Sequence, residues 1–267
     1  MKKIVYIDCD GTIKNDNGEI SQRTKKAIND FTQLGNYIVL CTGQPRYFAE
    51  KINKEIGGHS FFISSNGAEI YDSVESKIIK IINIEDSDFM IIYEYAEKNN
   101  LRIVAVAEDR EFVTKEIKNK NQYMFPDEFK DLKNLLEDNK IKQIMLVSSD
   151  NEKINIAKLE LLNKTNSIIV VNQSSNEREP WIVFGNSKVS KGEAIKELTT
   201  YLGKNMYNTI GIGNGYNDIS MFEVVGKSVA MKNAEDYIKN KADIVIDSNN
   251  DDGVAIYLEE ILKNSKR

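Results

Sequence analysis

The strongest constraint on this chain stands at its beginning, in Lys2-Lys3-Ile4-Val5-Tyr6-Ile7-Asp8-Cys9-Asp10-Gly11-Thr12. The short, apolar, β-branched run from Ile4 to Ile7 reads as a buried strand. It stops at two carboxylates one residue apart, followed by a glycine and a threonine. A buried strand that releases its chain into such a turn presents both acids at the carboxyl edge of a sheet, where open α/β sheets bind ligands. Two acids so close repel each other unless a cation or a proton lies between them. An acidic turn that merely caps the next segment is the plainer alternative. A calcium loop is not: Asp8, Asp10 and Glu19 fall at its first, third and twelfth positions, but Ile13 occupies the sixth, which needs glycine.

The chain behind this turn keeps a βαβα rhythm. Ser21 reads as an N-cap, and a helix follows through Leu34 with Ala27, Ile28, Phe31 and Leu34 as its apolar stripe and Gly35 as its stop. Tyr37 to Cys41 is a second buried strand, running into Thr42-Gly43-Gln44-Pro45-Arg46, with a helix over 47–56 behind it. Phe61 to Ile63 is a third, ending in Ser64-Ser65-Asn66-Gly67-Ala68, and 69–71 with 77–82 reads as a hairpin. Such alternation predicts a parallel sheet with right-handed crossovers. From residue 83 strands and helices mix: helices over 86–98, 127–138 and 151–162, strands over 102–107, 111–114, 143–147, 167–171 and 181–184. That mixture is expected of an inserted α+β domain. Near Ser187 the first rhythm returns, with a helix from Lys191, a strand over 209–212, the turn Gly213 to Asp218, strands over 228–231 and 243–246, and a closing helix over 253–262. The predicted organisation is a core made of 1–82 and 186–267 around an insertion of 83–185.

Composition narrows the function. A chain of 267 residues, 41% hydrophobic and 29% charged, can bury the core of one large domain or two modest ones. Its net charge of -5 offers no electrostatic reason to bind nucleic acid or an anionic membrane. No apolar stretch approaches a spanning helix or a usual signal peptide, and two cysteines, Cys9 and Cys41, suit a reducing cytoplasm. His59 stands without partners for a metal, and Tyr216 occupies the place of the third glycine in a dinucleotide fingerprint.

Pooled at one carboxyl edge, the strand ends offer Asp8 and Asp10, Thr42 with Gly43, and Asn214, Asn217 and Asp218, while Lys191 opens a helix among them. Paired acids with further oxygen donors suit a hard cation such as Mg²⁺. A hydroxyl, backbone amides and an ammonium suit a phosphoryl group. In this order the residues closely resemble the haloacid dehalogenase (HAD) superfamily, specifically its Cof-type phosphatases with a cap inserted between the second and third motifs. Asp8-Cys9-Asp10-Gly11-Thr12 resembles the first motif, Thr42 with Gly43 and Arg46 the second, Lys191-Gly192 the third and Gly213-Asn214-Gly215-Tyr216-Asn217-Asp218 the fourth; Ser65-Asn66-Gly67-Ala68 is similar to a further Cof signature.

The resemblance spans essentially the whole chain and implies an α/β protein, a Rossmann-like parallel core carrying an α/β cap. It implies an aspartyl-phosphate on Asp8, with Asp10 as acid and then base. It places Mg²⁺ on the Asp8 carboxylate and the Asp10 carbonyl, with Asn214 and Asp218 at or near the metal. Thr42, the amides near Gly43 and Lys191 would surround the phosphoryl oxygens, with Thr12, Arg46, Asn66 and Asn217 in support. The family usually has aspartate where this chain has Asn214, so one negative charge is missing; weaker Mg²⁺ binding, or compensation by Asp218, is the expectation. The implied substrate is a small phosphorylated metabolite, a sugar phosphate or a phosphorylated cofactor precursor. A phosphosugar mutase and a non-catalytic phosphometabolite sensor are the alternatives. By side-chain type, Arg110, Arg178, Glu179 and Trp181 are candidates for substrate selection in the cap.

Overall fold

The computed structural model describes residues 2–108, 110–114, 126–128, 136, 139–174 and 179–264. The chain forms two compact units, one of residues 1–44, 48–80 and 190–267, the other of residues 45–47 and 81–189.

The first unit begins with β1 (Ile4–Ile7), α1 (Gln22–Gln33), β2 (Tyr37–Cys41), α2 (Arg46–Glu55), β3 (Phe61–Ser64), β4 (Glu69–Asp72) and β5 (Lys77–Ile81). Ser21 caps α1 by accepting the Thr24 amide, and Ala27, Ile28 and Phe31 are buried along it. Leu34, expected in that stripe, is exposed, because the helix has already ended and Gly35 turns the chain at φ +77.

The second unit holds α3 (Asp86–Lys98), β6 (Arg102–Val106), β7 (Glu111–Val113), β8 (Pro126–Glu128), β9 (Gln143–Val147), α4 (Asn151–Lys164), β10 (Ile168–Ser174) and β11 (Trp181–Asn186). Its strands run β10-β11-β9-β6-β7-β8 across one sheet. The β10–β11, β11–β9, β6–β9 and β6–β7 pairs are antiparallel, and β7–β8 is parallel. Phe89, Ile92 and Ala96 of α3 and Ile154, Ala157 and Leu161 of α4 pack with Ile103, Ala105, Ile144 and Leu146 of the sheet. The helix expected from residue 127 is corrected here: Pro126–Glu128 is a strand, with Pro126 opposite Glu111 at its first residue. Proline's missing N–H is tolerated at the start of an edge strand. The rest of that expected helix, apart from the helical Leu136, and Arg178 lie outside the described residues. Glu111 is a buried acid in β7; burial pushes its carboxyl from 4.5 up to about 7, and a hydrogen bond from Tyr47 offsets this only in part.

The first unit then resumes with α5 (Lys191–Tyr201), β12 (Thr209–Gly213), α6 (Ile219–Phe222), β13 (Lys227–Met231), α7 (Asp236–Lys239), β14 (Ile244–Ile246) and α8 (Gly253–Asn264). Its sheet order is β14-β13-β12-β1-β2-β3-β4-β5, so strands from both parts of the chain share one sheet. Neighbours from β14 to β3 are parallel, and β4 returns antiparallel to β3. Alternate residues of the central strands enter different cores. Val5, Ile7, Ile38 and Leu40 pack with Phe31 of α1 and Leu258 of α8, whereas Ile4, Tyr6, Val39 and Cys41 pack with Ala194, Ile195 and Leu198 of α5. A parallel sheet covered on both faces explains why these strands read as continuous apolar runs. Cys9 belongs to the first cluster and Cys41 to the second, and both are free thiols. Among the described residues no helix is long and apolar enough to cross a membrane.

Candidate active site

The site grows from the centre of the eight-stranded sheet. β1 lies between β12 and β2, with Ile7 opposite both Ile212 and Leu40. The chain leaves β1 toward β2 on one side and returns by β12 on the other, the switch point at which open α/β sheets form a crevice. Asp8 continues the ladder by donating its amide to the Ile212 carbonyl at 2.9 Å. The chain then turns sharply, and the amides of Thr12, Ile13 and Lys14 converge on the Cys9 carbonyl at 3.3, 3.1 and 3.1 Å. Gly11 has φ +74, and a Cβ there would lie 2.5 Å from the Asn214 amide nitrogen, so both backbone and space require glycine.

Lys191 ties the site together. Ser190 caps α5 by accepting the Glu193 amide, which makes Lys191 its first helical residue. The lysine side chain is 0% exposed, and its Nζ lies 2.6 Å from Asp8 Oδ1 and 2.6 Å from Asp218 Oδ1. The other oxygen of Asp218 accepts the amides of Asn214 and Gly215, each at 2.9 Å. Asp218 thus spends both oxygens on Lys191 and on the turn after β12, which leaves it poorly placed to compensate for Asn214. Burial pushes the Asp8 carboxyl up to about 7; the Lys191 ammonium draws it down, and Asp218 and Asp10 push it further up. Burial alone would lower the lysine, but Asp218 and Asp8 outweigh it and hold the ammonium above its ordinary value. The result is a buried cation shared by two acids, with Asp8 on the accessible side at 10% side-chain exposure.

Asp10 faces outward, its side chain 53% exposed, and is held by Lys14 Nζ at 3.2 Å and Gln44 Nε2 at 3.0 Å. Gln44 comes from the turn after β2, where its amide donates to the buried Thr42 hydroxyl at 3.1 Å. That turn is braced by the one after β3: the Ser65 amide donates to the Gln44 carbonyl and the Asn66 amide to the Thr42 carbonyl. Ser65 and Asn66 both take left-handed backbone, at φ 50 and φ 58. Two such non-glycine residues in a row cost roughly 1–3 kcal/mol each, strain that the surrounding site must hold in place. The Asn66 Oδ1 accepts from Asn217 Nδ2 at 2.9 Å, joining the turns after β3 and β12. Gly43 permits this, since a Cβ there would sit 2.9 Å from Asn66 Oδ1. Arg46 belongs to the second unit, and its pair, Glu108 at 3.2 Å, lies in that same unit.

Asn214 lies against the first turn. Thr12 donates its hydroxyl to Asn214 Oδ1 at 2.8 Å, with Asp8 Oδ2 3.4 Å from the same hydroxyl. A carboxylate oxygen and an amide oxygen therefore converge around one threonine. This all-oxygen donor set fits a hard divalent cation, with one charge fewer than two carboxylates would supply. Among the described residues no three His, Cys, Asp or Glu side chains gather at ligand spacing, in keeping with the amide at this position. Four contributors were not singled out from sequence: Gln44 and Lys14, which hold Asp10; Ser190, which caps α5; and Asn233, whose Nδ2 donates to the Gly11 carbonyl at 2.9 Å. Lys14, four residues after Asp10, and Ser190, three before Glu193 in a Ser-x-x-Glu capping pattern, carried spacing signals; Gln44 and Asn233 depend on tertiary contact alone.

The family profile of haloacid dehalogenase-like hydrolases matches residues 5–258. The chain belongs to this family. As a HAD-superfamily enzyme of the Cof type, it is a phosphatase by kinship. The 5-amino-6-(5-phospho-D-ribitylamino)uracil phosphatase of Bacillus subtilis is 30% identical over 262 residues, covering 95% of this chain and 93% of that protein. A putative phosphatase of Buchnera aphidicola is 29% identical, covering 100% of this chain and 99% of its own length. The crystal structure of a haloacid dehalogenase-like hydrolase from Bacteroides thetaiotaomicron superposes with a TM-score of 0.87 at 26% identity, covering 98% of this HAD chain and all of that one.

Proposed function

We propose that this HAD phosphatase hydrolyses a small phosphate monoester through an aspartyl-phosphate on Asp8. The observation that carries the reading is the Asp8 carboxylate at the end of the central strand, with one oxygen fixed by the buried Lys191 ammonium at 2.6 Å. A carboxylate so oriented is a nucleophile whose approach is set before substrate arrives. Asp10 stands one residue further, outside the buried pair and held by Gln44 and Lys14. It would give a proton to the departing alcohol and then take one from the water that releases phosphate. The Thr42 hydroxyl and the Gly43 turn would receive the phosphoryl oxygens, while Lys191 balances the charge on Asp8 and Asp218. Asp8, the Asp10 carbonyl and Asn214 would hold Mg²⁺, which when bound supplies positive charge to offset that of the phosphoryl group.

The relative named for a phosphorylated ribitylaminouracil supports a phosphorylated cofactor precursor or sugar phosphate as substrate. The test is phosphate release from a panel holding that compound, hexose and pentose phosphates and nucleotides, with and without Mg²⁺, beside Asp8→Asn. Metal-dependent release that disappears in Asp8→Asn is expected. Release that persists in Asp8→Asn would refute the nucleophile, and no release from any member would refute the hydrolase reading.

A further inference from the structure

Asparagine followed by glycine occurs three times in this chain, at 17–18, 66–67 and 214–215. In such a pair the glycine nitrogen can close on the asparagine side-chain carbonyl, because glycine offers no side chain to obstruct the five-membered ring. Closure is favoured by a base at the glycine N–H and by a hydrogen-bond donor at the amide oxygen, which gathers negative charge as the ring forms.

At 214–215 the fold supplies both. Asp218 Oδ2 accepts the Gly215 N–H at 2.9 Å, so a carboxylate sits on the attacking nitrogen. The Thr12 hydroxyl donates to Asn214 Oδ1 at 2.8 Å, so a donor sits on the oxygen of the electrophile. The contrast with 17–18 is direct: there the Gly18 amide is given to the Asn15 carbonyl at 2.9 Å, a far weaker base. At 66–67 the asparagine oxygen also has a donor, Asn217, but both residues are held in left-handed backbone, at φ 58 and φ 101.

We propose that Asn214 is a self-modification site, at which the folded protein converts asparagine to aspartate. The Gly215 nitrogen attacks Asn214 Cγ, and its proton passes to Asp218 Oδ2. The N–Cγ bond forms, the Cγ–Nδ2 bond breaks, and the amide nitrogen leaves as ammonia after recovering that proton. Water then opens the cyclic imide. Opening at the Cγ–N bond restores the peptide and leaves aspartate; opening at the main-chain carbonyl leaves iso-aspartate. The balance is asparagine plus water to aspartate plus ammonia, without oxidant or cofactor. The new carboxylate would share Thr12 with Asp8, adding the charge that the oxygen donor set lacks. That last consequence rests on the phosphatase reading, whereas the conversion itself does not.

The test follows mass and cation binding rather than turnover. Freshly purified protein is held folded, without divalent metal, at neutral pH and body temperature, and the peptide carrying Asn214 is followed by mass spectrometry beside the same chain unfolded in urea. Conversion in the folded chain at least as fast as in the unfolded one, and several-fold faster than at Asn17, is expected. Asp218→Asn and Thr12→Val should each slow it by about tenfold or more, on the scale of a lost general base or oxyanion donor. Slower conversion in the folded chain, or faster conversion in Asp218→Asn, would overturn the proposal by showing that these hydrogen bonds clamp the turn against closure. The folded-against-unfolded comparison decides even if Asp218→Asn fails to fold. Calorimetric titration with Mg²⁺ separates the two readings: converted protein should bind more tightly, and unchanged affinity would remove residue 214 from the cation while leaving the conversion standing.

Discussion

Lys191 joins two acids, Asp218 wholly buried and Asp8 only 10% exposed at its side chain. Replacing it with methionine keeps the volume and deletes the charge, leaving Asp8 and Asp218 facing each other. Removing one partner of a buried ionic group costs about 3–5 kcal/mol, so Lys191→Met should lose stability on that scale in urea unfolding, together with its phosphate release. A contrasting case is Tyr6, whose hydroxyl meets the Thr199 hydroxyl at 2.7 Å inside the core beneath α5. Tyr6→Phe should cost about 1–2 kcal/mol in the same measurement by orphaning Thr199, with catalysis intact. The two acids, Thr42 and Lys191 were legible in sequence because each stands where a strand ends or a helix begins. What each side chain touches was not. Lys191 and Asp8 are 183 positions apart, and nothing local announces that the ammonium meets this carboxylate rather than solvent. Gln44 was invisible for the same reason, since its partner Asp10 lies on a different strand end.

At the scale of elements, the turn after β3 and the start of α5 are built as one piece. Gly67 has φ +101, and a Cβ on it would lie 2.2 Å from the Ser190 carbonyl, the cap of the helix that carries Lys191. Gly67→Ala must therefore move backbone. We expect a loss of at least about 2 kcal/mol in urea unfolding and a fall in kcat/KM of tenfold or more, since the lysine moves with its helix. Strands of the parallel sheet were readable because burial on both faces makes them uniformly apolar, and Ser21 and Gly35 punctuated α1 as expected. Pro126–Glu128 misled because a short edge strand is specified by its neighbour Glu111–Val113 and not by its own composition. The three-residue helical turn at Ser65–Gly67 was equally hidden, as its left-handed residues are stabilised by contacts from other segments.

For the molecule as a whole, Glu111 gives stability a pH dependence of known sign. Its native carboxyl titrates at about 7 against an ordinary 4.5, so the folded state keeps a proton that the unfolded chain surrenders between those values. Its contribution is complete below about 4.5 and is lost as pH rises through about 7, by up to about 3 kcal/mol. Urea unfolding of the second unit should therefore weaken from pH 5 to pH 8, and Glu111→Gln should flatten that component.

The placement of β1 between β2 and β12 also sets an order of events during synthesis. The central strand emerges first, yet its β12 partner begins only at Thr209. At roughly 5–20 residues per second, one edge of β1 waits on the order of tens of seconds at the ribosome without its ladder. An unpaired, wholly apolar edge is a template for pairing with other chains. Nascent chains arrested before Thr209 should accordingly bind holdase chaperones or aggregate, and those arrested after β12 has cleared the exit tunnel should not. Equal behaviour of the two would show that the waiting strand is shielded by other means.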